Sequence, residues 1–309
     1  MSAPLRAVVT GATSFLGSAT AIALMEAGHS VLSAARPGSA NLDRLPDDDR
    51  MDFLPLRLCD MAKAEKYVGR ADIWYHFAWD ATSPARRNDP DAQAENVRHA
   101  LEALIAAANT GAKRFVFPGS QAEYGVHEGV ITEETPCAPV SEYGRAKLAF
   151  EELAAPLAEK AGVELVRLRI FSVYGRGDHA GSLISSCVDT LGAGGDMRVG
   201  DAMQTWNYLN IRDFAALMLR VLEAERAEGL YNVGGTDTRR LKDFIEEVHA
   251  LCGGRGRVLY GEAPARPEGR VQLDPDISRA EAAFGWTPEV SFADGIREML
   301  EKPPKHSGF

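Results

Sequence analysis

Thr10-Gly11-Ala12-Thr13-Ser14-Phe15-Leu16-Gly17 follows an apolar run at residues 5–10 and opens a helix-length stretch, 15–27, that stops at Gly28. A strand handing over to a helix through a glycine turn decides how the rest of the chain is read. Gly11 permits the tight turn, and Gly17 lets the helix pack closely on the strand behind it. The helix N-terminus then offers unpaired amides and a partial positive charge, which suit a pyrophosphate. Thr13, Ser14, Phe15 and Leu16 complete the turn, with Ser14 standing where such turns commonly carry a middle glycine.

Working outward, short apolar runs at 31–35, 53–58, 73–77, 115–117 and 165–170 alternate with helical stretches near 91–109 and 141–161. Alternation of this kind predicts an α/β fold: a Rossmann-type doubly wound parallel sheet with its ligand at the carboxyl ends of the strands. Beyond Tyr174 the pattern loosens. A loop is marked by Gly192-Ala193-Gly194-Gly195, a strand is expected at 207–211 and another at 230–233. Helices are expected at 214–227, 241–251 and 291–300. Residues 1–174 with about 207–235 are assigned to a dinucleotide-binding domain. Residues 175–206 and 236–309 form a smaller, partly discontinuous C-terminal substrate lobe.

Hydrophobic content of 45% and charged content of 25% over 309 residues are those of an ordinary globular protein. The net charge of −10, with no Lys/Arg block, argues against a nucleic-acid or anionic-membrane surface. No apolar stretch is long enough to span a bilayer, and the N-terminus shows no signal-peptide core. Cys59, Cys137, Cys187 and Cys252 are scattered without C-x-x-C spacing. They read as reduced thiols of a cytoplasmic protein, and no metal site is expected.

Tyr143 and Lys147 stand four apart, so a helix puts phenol and ammonium on one face. At about 4 Å and an effective dielectric near 20, a unit charge is worth ~4 kcal/mol. That is enough to draw a phenol from ~10 towards ~7, where it exchanges protons at neutral pH. Ser120, isolated after an apolar strand, adds a hydroxyl. At the end of the second strand, Ala34-Ala35-Arg36-Pro37 has no carboxylate for ribose hydroxyls, and Arg36 is placed to pair with a 2′-phosphate. NADP(H) is therefore expected, with NAD(H) possible.

Together these residues resemble the extended short-chain dehydrogenase/reductase family of nucleotide-sugar epimerases, dehydratases and ketoreductases, over nearly the whole chain. Thr10–Gly17 looks like its T-G-x-x-G-x-x-G turn. Cys59-Asp60-Met61 is similar to the segment whose Asp lies by the adenine. Tyr75-His76-Phe77-Ala78 looks like the H-L-A strand end along the cofactor, with Trp79 next, and Asn96 falls where the family keeps an Asn. Gly119-Ser120-Gln121-Ala122-Glu123-Tyr124-Gly125 resembles S-S-x-x-V-Y-G, and Tyr143 and Lys147 match Y-x-x-x-K. Leu168-Arg169-Ile170-Phe171-Ser172-Val173-Tyr174-Gly175 is similar to L-R-x-x-N-x-Y-G, with Ser172 replacing Asn. Tyr231-Asn232-Val233-Gly234 and Phe284-Gly285-Trp286-Thr287-Pro288 match substrate-lobe landmarks.

The resemblance implies that Ser120 and Tyr143 meet the sugar oxygen while Lys147 holds the nicotinamide ribose. It also implies that Phe77, Ala78, Trp79, Phe171 and Val173 lie along the cofactor. Substrate contacts are expected from Thr82, Gln121, Ser172, Arg198, Trp206, Asn207 and Arg266, with Arg212 a further pocket candidate. A homodimer is implied, pairing helices 91–109 and 141–161.

Dehydratases of the family place Asp and Glu after the catalytic hydroxyl residue. Gln121 and Ala122 stand there, so dehydration is not expected. Glu123 comes one residue later, where strand alternation sends it to the other side. The expected activity is NADPH-dependent reduction of the C4 keto group of a nucleoside-diphosphate 4-keto-6-deoxy sugar. An NAD-dependent sugar-nucleotide 4-epimerase is the alternative, and a non-catalytic dinucleotide-sensing protein a second.

Overall fold

The computed structural model describes residues 3–263 and 271–301. Its first half runs β1 (Arg6–Thr10), α1 (Phe15–Glu26), β2 (Ser30–Ala35), β3 (Met51–Pro55), a single turn α2 (Glu65–Val68) and β4 (Ile73–His76). There follow α3 (Pro90–Asn109), β5 (Arg114–Ser120), α4 (Glu142–Ala161), β6 (Glu164–Ile170) and β7 (Ser172–Tyr174). The second half continues with α5 (Leu183–Gly192), β8 (Asp196–Val199), β9 (Thr205–Asn210), α6 (Ile211–Glu223) and β10 (Gly229–Val233). It ends with β11 (Thr238–Arg240), α7 (Leu241–Leu251), β12 (Arg257–Tyr260), α8 (Ser278–Phe284) and α9 (Phe292–Leu300).

Seven strands form one parallel sheet in the order β10-β6-β5-β4-β1-β2-β3. The strand order reverses at β1, between β4 and β2, so the crevice opens where Thr10 pairs with His76. Both faces are covered. Val9 and Tyr75 join a core with Phe214 and Leu217 of α6, while Val8 and Trp74 pack with Leu104 of α3 and Phe150 of α4. Neighbouring residues of one strand thus serve opposite cores, as the two-residue period requires. A third core, with Ile184, Val199, Phe244 and Ile296, lies under two small sheets, β11-β9-β7 and β12-β8.

Element ends differ from expectation where the apolar signal is weak. The third strand, expected at 53–58, is Met51–Pro55; Leu58 already starts a 3-10 turn, and at this sheet edge Phe53 is exposed. The helix expected from Phe214 starts at Ile211 because the Asn210 side chain caps it, accepting from the Arg212 N–H. Four short strands (β7, β8, β11 and β12) are too short to carry a readable period, and helices α5 and α8 were not expected from the sequence.

Candidate active site

The glycine turn is sterically obligatory. Gly11 has φ +68°, and a Cβ on it would lie 2.6 Å from the Ala78 nitrogen; a Cβ on Gly17 would lie 2.3 Å from the Gly11 carbonyl oxygen. The first strand, the first helix and the Phe77–Ala78 backbone therefore meet at contact distance. Ser14 earns its place as the cap of α1, accepting from the Gly17 N–H at 3.1 Å. The Thr13 hydroxyl bonds to Ser39 at 2.9 Å.

From this turn a cleft runs along the strand ends, lined by Gly11, Thr13, Ser14, Arg36, Met61, Phe77, Ala78, Trp79 and Thr82. Thr82, expected on the substrate, lies on this side. Ser39, Asn41 and Arg57 join Arg36 around the end of β2, and no carboxylate comes from that end. Phe15 and Leu16 are half-buried against the core beside α1. Asp60 sits in the 3-10 turn Leu58–Lys63, whose Cys59 and Met61 line the cleft. Val173 packs on the main core, and Phe171 is buried beside Tyr124. Two amides of α3 hold the loop past Trp79. Asn96 accepts from the Asp80 N–H and donates to its carbonyl, while Gln93 accepts from the Trp79 indole and donates to the Ala81 carbonyl. That loop carries Ala81 at φ +55°.

Ser120 ends β5 and caps the 3-10 turn Gln121–Glu123. Tyr143 and Lys147 lie in the first turns of α4, whose N-terminus is capped by Ser141. The Ser120 hydroxyl lies near enough to the Tyr143 phenol to favour its ionised form, against the effect of burial. Lys147 Nζ donates to the Pro118 carbonyl at 2.8 Å and lies 3.8 Å from the centre of the Trp79 ring, 4.6 Å from Phe117 and 5.6 Å from Tyr143.

The ionisation of the pair differs from expectation. Burial pushes Tyr143 up to about 12, and the Glu123 charge adds to it. Burial also lowers Lys147 to about 7, against the pull of Glu123 and Glu151. The four-residue spacing does put both groups on one face. However, the ammonium is enclosed by aromatic rings, so desolvation outweighs the expected pull on the phenol.

A second cleft of about 640 Å³ opens beside Arg87 and Gln121, while Ser120, Tyr143 and Lys147 line neither cleft. Gln121, Ala122, Val140, Ser141 and Arg87 line one wall, and Leu183, Arg198, Gln204, Trp206 and Leu241 the other. The expected Gln121, Arg198 and Trp206 are thus brought together. Ser172 is half-buried on β7, outside that lining. Asn207 is a correction. It is fully buried, donating to the Gly235 carbonyl, the Asp237 carbonyl and Thr238 Oγ1 while accepting from the Gly235 N–H. Strand alternation sends Trp206 to the cleft and its neighbour into the clamp that ties β9 to β11. Arg212 is exposed and pairs with Glu298. Arg266 lies outside the described residues.

Arg87 was not singled out from sequence. Its carbonyl accepts from the Tyr143 N–H, and its guanidinium lies 5.4 Å from the centre of the Tyr143 ring. The adjacent basic pair Arg86-Arg87, shortly after the strand end that lines the cofactor cleft, was the available signal. Among the described residues, no group of His, Cys, Asp and Glu could hold a metal ion, and no helix is long and apolar enough to cross a membrane.

A doubly wound sheet with a glycine turn at its switch point and a Ser-Tyr-Lys trio beside it defines a dinucleotide-dependent enzyme of the extended short-chain dehydrogenase/reductase type. The chain belongs to the NAD dependent epimerase/dehydratase family, whose model matches residues 7–234. It is 27% identical to a dTDP-glucose 4,6-dehydratase of Streptomyces niveus, over 96% of this chain and 92% of that one. It is also 27% identical to a UDP-glucose 4-epimerase of Corynebacterium glutamicum, over 92% and 91%. Its fold matches a Thermus thermophilus UDP-glucose 4-epimerase in complex with NAD at a TM-score of 0.86 and 24% identity, covering 96% and 98% of the two chains.

Proposed function

We propose that the chain is an NADPH-dependent reductase acting on the C4 keto group of a nucleoside-diphosphate 4-keto-6-deoxy sugar. The observation that carries this reading is the end of β2, where Arg36 and Arg57 line the cleft and the segment 34–41 contributes no carboxylate to it. A guanidinium there suits a 2′-phosphate, and a reductase must renew its cofactor every turnover from the reduced pool.

The glycine cradle of Gly11 and Gly17, the helix N-terminus behind Ser14 and the wall of Phe77, Ala78 and Trp79 fit a dinucleotide. When bound, the nicotinamide supplies the hydride. The chain supplies the proton. Tyr143, held protonated by burial, donates to the oxygen that gains charge, and Ser120 hydrogen-bonds the same oxygen. A phenol that keeps its proton suits reduction, where it acts first as an acid. Gln121 and Ala122 offer no acid–base pair for loss of water. Sugar and nucleotide would occupy the cleft between Gln121 and Trp206. A homodimer through α3 and α4 is supported by Ile105, Leu153 and Leu157, apolar side chains left exposed on those helices.

The test is a titration of the purified protein with NADPH and NADH, wild type beside Arg36→Ala, followed by turnover of 4-keto-6-deoxy sugar nucleotides. Preference for NADPH that collapses in the variant is expected. A second reading, a 4-epimerase, is favoured by the epimerase names among the relatives. NAD bound on purification, with turnover lacking added cofactor, would put it first.

A further inference from the structure

We propose that Glu123 is a positioning residue for Ser120, holding the serine backbone from behind the site with a carboxylate that Arg169 and Glu151 keep in place. The proposal rests on the reading of Ser120, Tyr143 and Lys147 as the reacting group set. Glu123 itself lines neither of the two clefts described. It points away from the substrate side, although a 3-10 turn rather than strand alternation turns it there.

The geometry is a closed capping box. Ser120 Oγ accepts from the Ala122 N–H at 3.2 Å, and Glu123 Oε1 accepts from the Ser120 N–H at 2.6 Å. Without that carboxylate the serine N–H would be buried with no acceptor in the turn. Arg169, on β6, donates Nε to Glu123 Oε2 at 2.7 Å and Nη2 to Glu151 Oε2 at 2.9 Å, and all three side chains are buried. The neighbouring chain makes room for them. A Cβ on Gly119 would fall 2.8 Å from Glu123 Oε1 and 3.0 Å from Glu151 Oε1. The family segment S-S-x-x-V-Y-G, which this stretch resembles, has an apolar residue at the Glu123 position. A charge there calls for a reason beyond packing.

Two carboxylates sharing one guanidinium cannot both ionise freely. Burial and the Glu151 charge hold the Glu123 carboxyl well above its usual range. Tyr143 and Lys147 face this cluster from α4, and Tyr124 and Cys137 from the segment after β5. Its negative charge supports the Lys147 ammonium and raises the Tyr143 phenol. Positioning the serine and biasing both partners are therefore done by one buried group.

The experiment uses the full chain carrying Glu123→Gln, Glu123→Val or Gly119→Ala, each paired with its Tyr143→Phe double variant. The difference in phenolate absorbance between the two then isolates Tyr143. Glu123→Gln keeps an acceptor for the Ser120 N–H and removes the charge, so the Tyr143 midpoint should fall by roughly one unit. On the proposed substrate class, Glu123→Val should lose about 10²-fold in kcat with KM retained, and Glu123→Gln should recover part of that loss. Gly119→Ala, which pushes the carboxylates aside, should lose kcat in the same sense and stands in if Glu123→Val fails to fold. A Tyr143 midpoint unmoved by Glu123→Gln, or wild-type kcat in Glu123→Val, overturns the proposal. The phenol titration needs no substrate. Failure of every keto sugar to react would therefore count against the reductase reading and leave this test standing.

Discussion

The two clefts are built on different plans, and Tyr143 lies between them only through its neighbours, Trp79 of one and Arg87 of the other. The dinucleotide side is made by the ends of adjacent parallel strands, where backbone meets backbone at Gly11 and Ala78 and side chains such as His76 are fully buried. The wall of the second cleft draws on Arg87, Gln121, Ser141, Leu183, Arg198, Trp206 and Leu241, gathered from loops and from α5, β8, β9 and α7. Arg198 is loosely held there: it is 68% exposed and pairs with Glu262, itself 44% exposed. The first cleft admits no side-chain atom at Gly11, whereas the Arg198 side of the second stands open to water. One fold can thus keep its chemistry while exchanging the molecule on which it acts.

That contrast breaks most visibly at the trio. Tyr143→Phe should cost about 10²–10⁴-fold in kcat while leaving cofactor affinity near wild type, read by steady-state kinetics beside a binding titration. Lys147→Met should abolish turnover yet raise Tm, because the wild-type ammonium is buried at a cost. The sign follows from a folded pKa lowered from 10.5 to about 7. The unfolded chain binds more protons between those values, so wild-type stability rises with pH across that window. The Tm gain of the variant should be full below about pH 7 and fade towards 10.5. A gain that grows with pH would contradict the burial of a charged Lys147.

Next in size is the glycine turn. Gly17→Ala forces a Cβ against the Gly11 carbonyl and should destabilise the fold by roughly 1–3 kcal/mol with loss of dinucleotide binding. Thermal melts with and without cofactor decide it; a wild-type response to cofactor would show the turn to be softer than its geometry indicates. Arg36→Ala should weaken NADPH about tenfold to a hundredfold and spare NADH, the scale of a charge-assisted hydrogen bond. Equal losses for both cofactors would remove the reason for preferring NADPH.

The smallest effects separate two side chains expected on the substrate. Asn207→Ala should lower stability by about 1–3 kcal/mol through its abandoned buried partners and leave kcat alone. Arg198→Ala should leave Tm unchanged, since exposed ion pairs contribute about 0–1 kcal/mol, and raise KM by a few-fold. A large kcat effect from Asn207→Ala would return it to the substrate.

Much of the dinucleotide half was legible because its signals are local. Strand and helix periods identified the parallel sheet to within a few residues, a glycine can be recognised where no Cβ fits, and a four-residue spacing in a helix places two side chains on one face. The small strands β7, β8, β11 and β12 were not legible, since three or four residues of mixed polarity carry no period. Only the tertiary structure decided that Lys147 points at Pro118 under the Trp79 ring, that Asn207 turns into a clamp while Trp206 faces the cleft, and that Glu123 backs Ser120. The physical reason is common to all three. Burial and the company of other charges are set by segments distant in sequence, and they determine what a titratable or amide side chain can do.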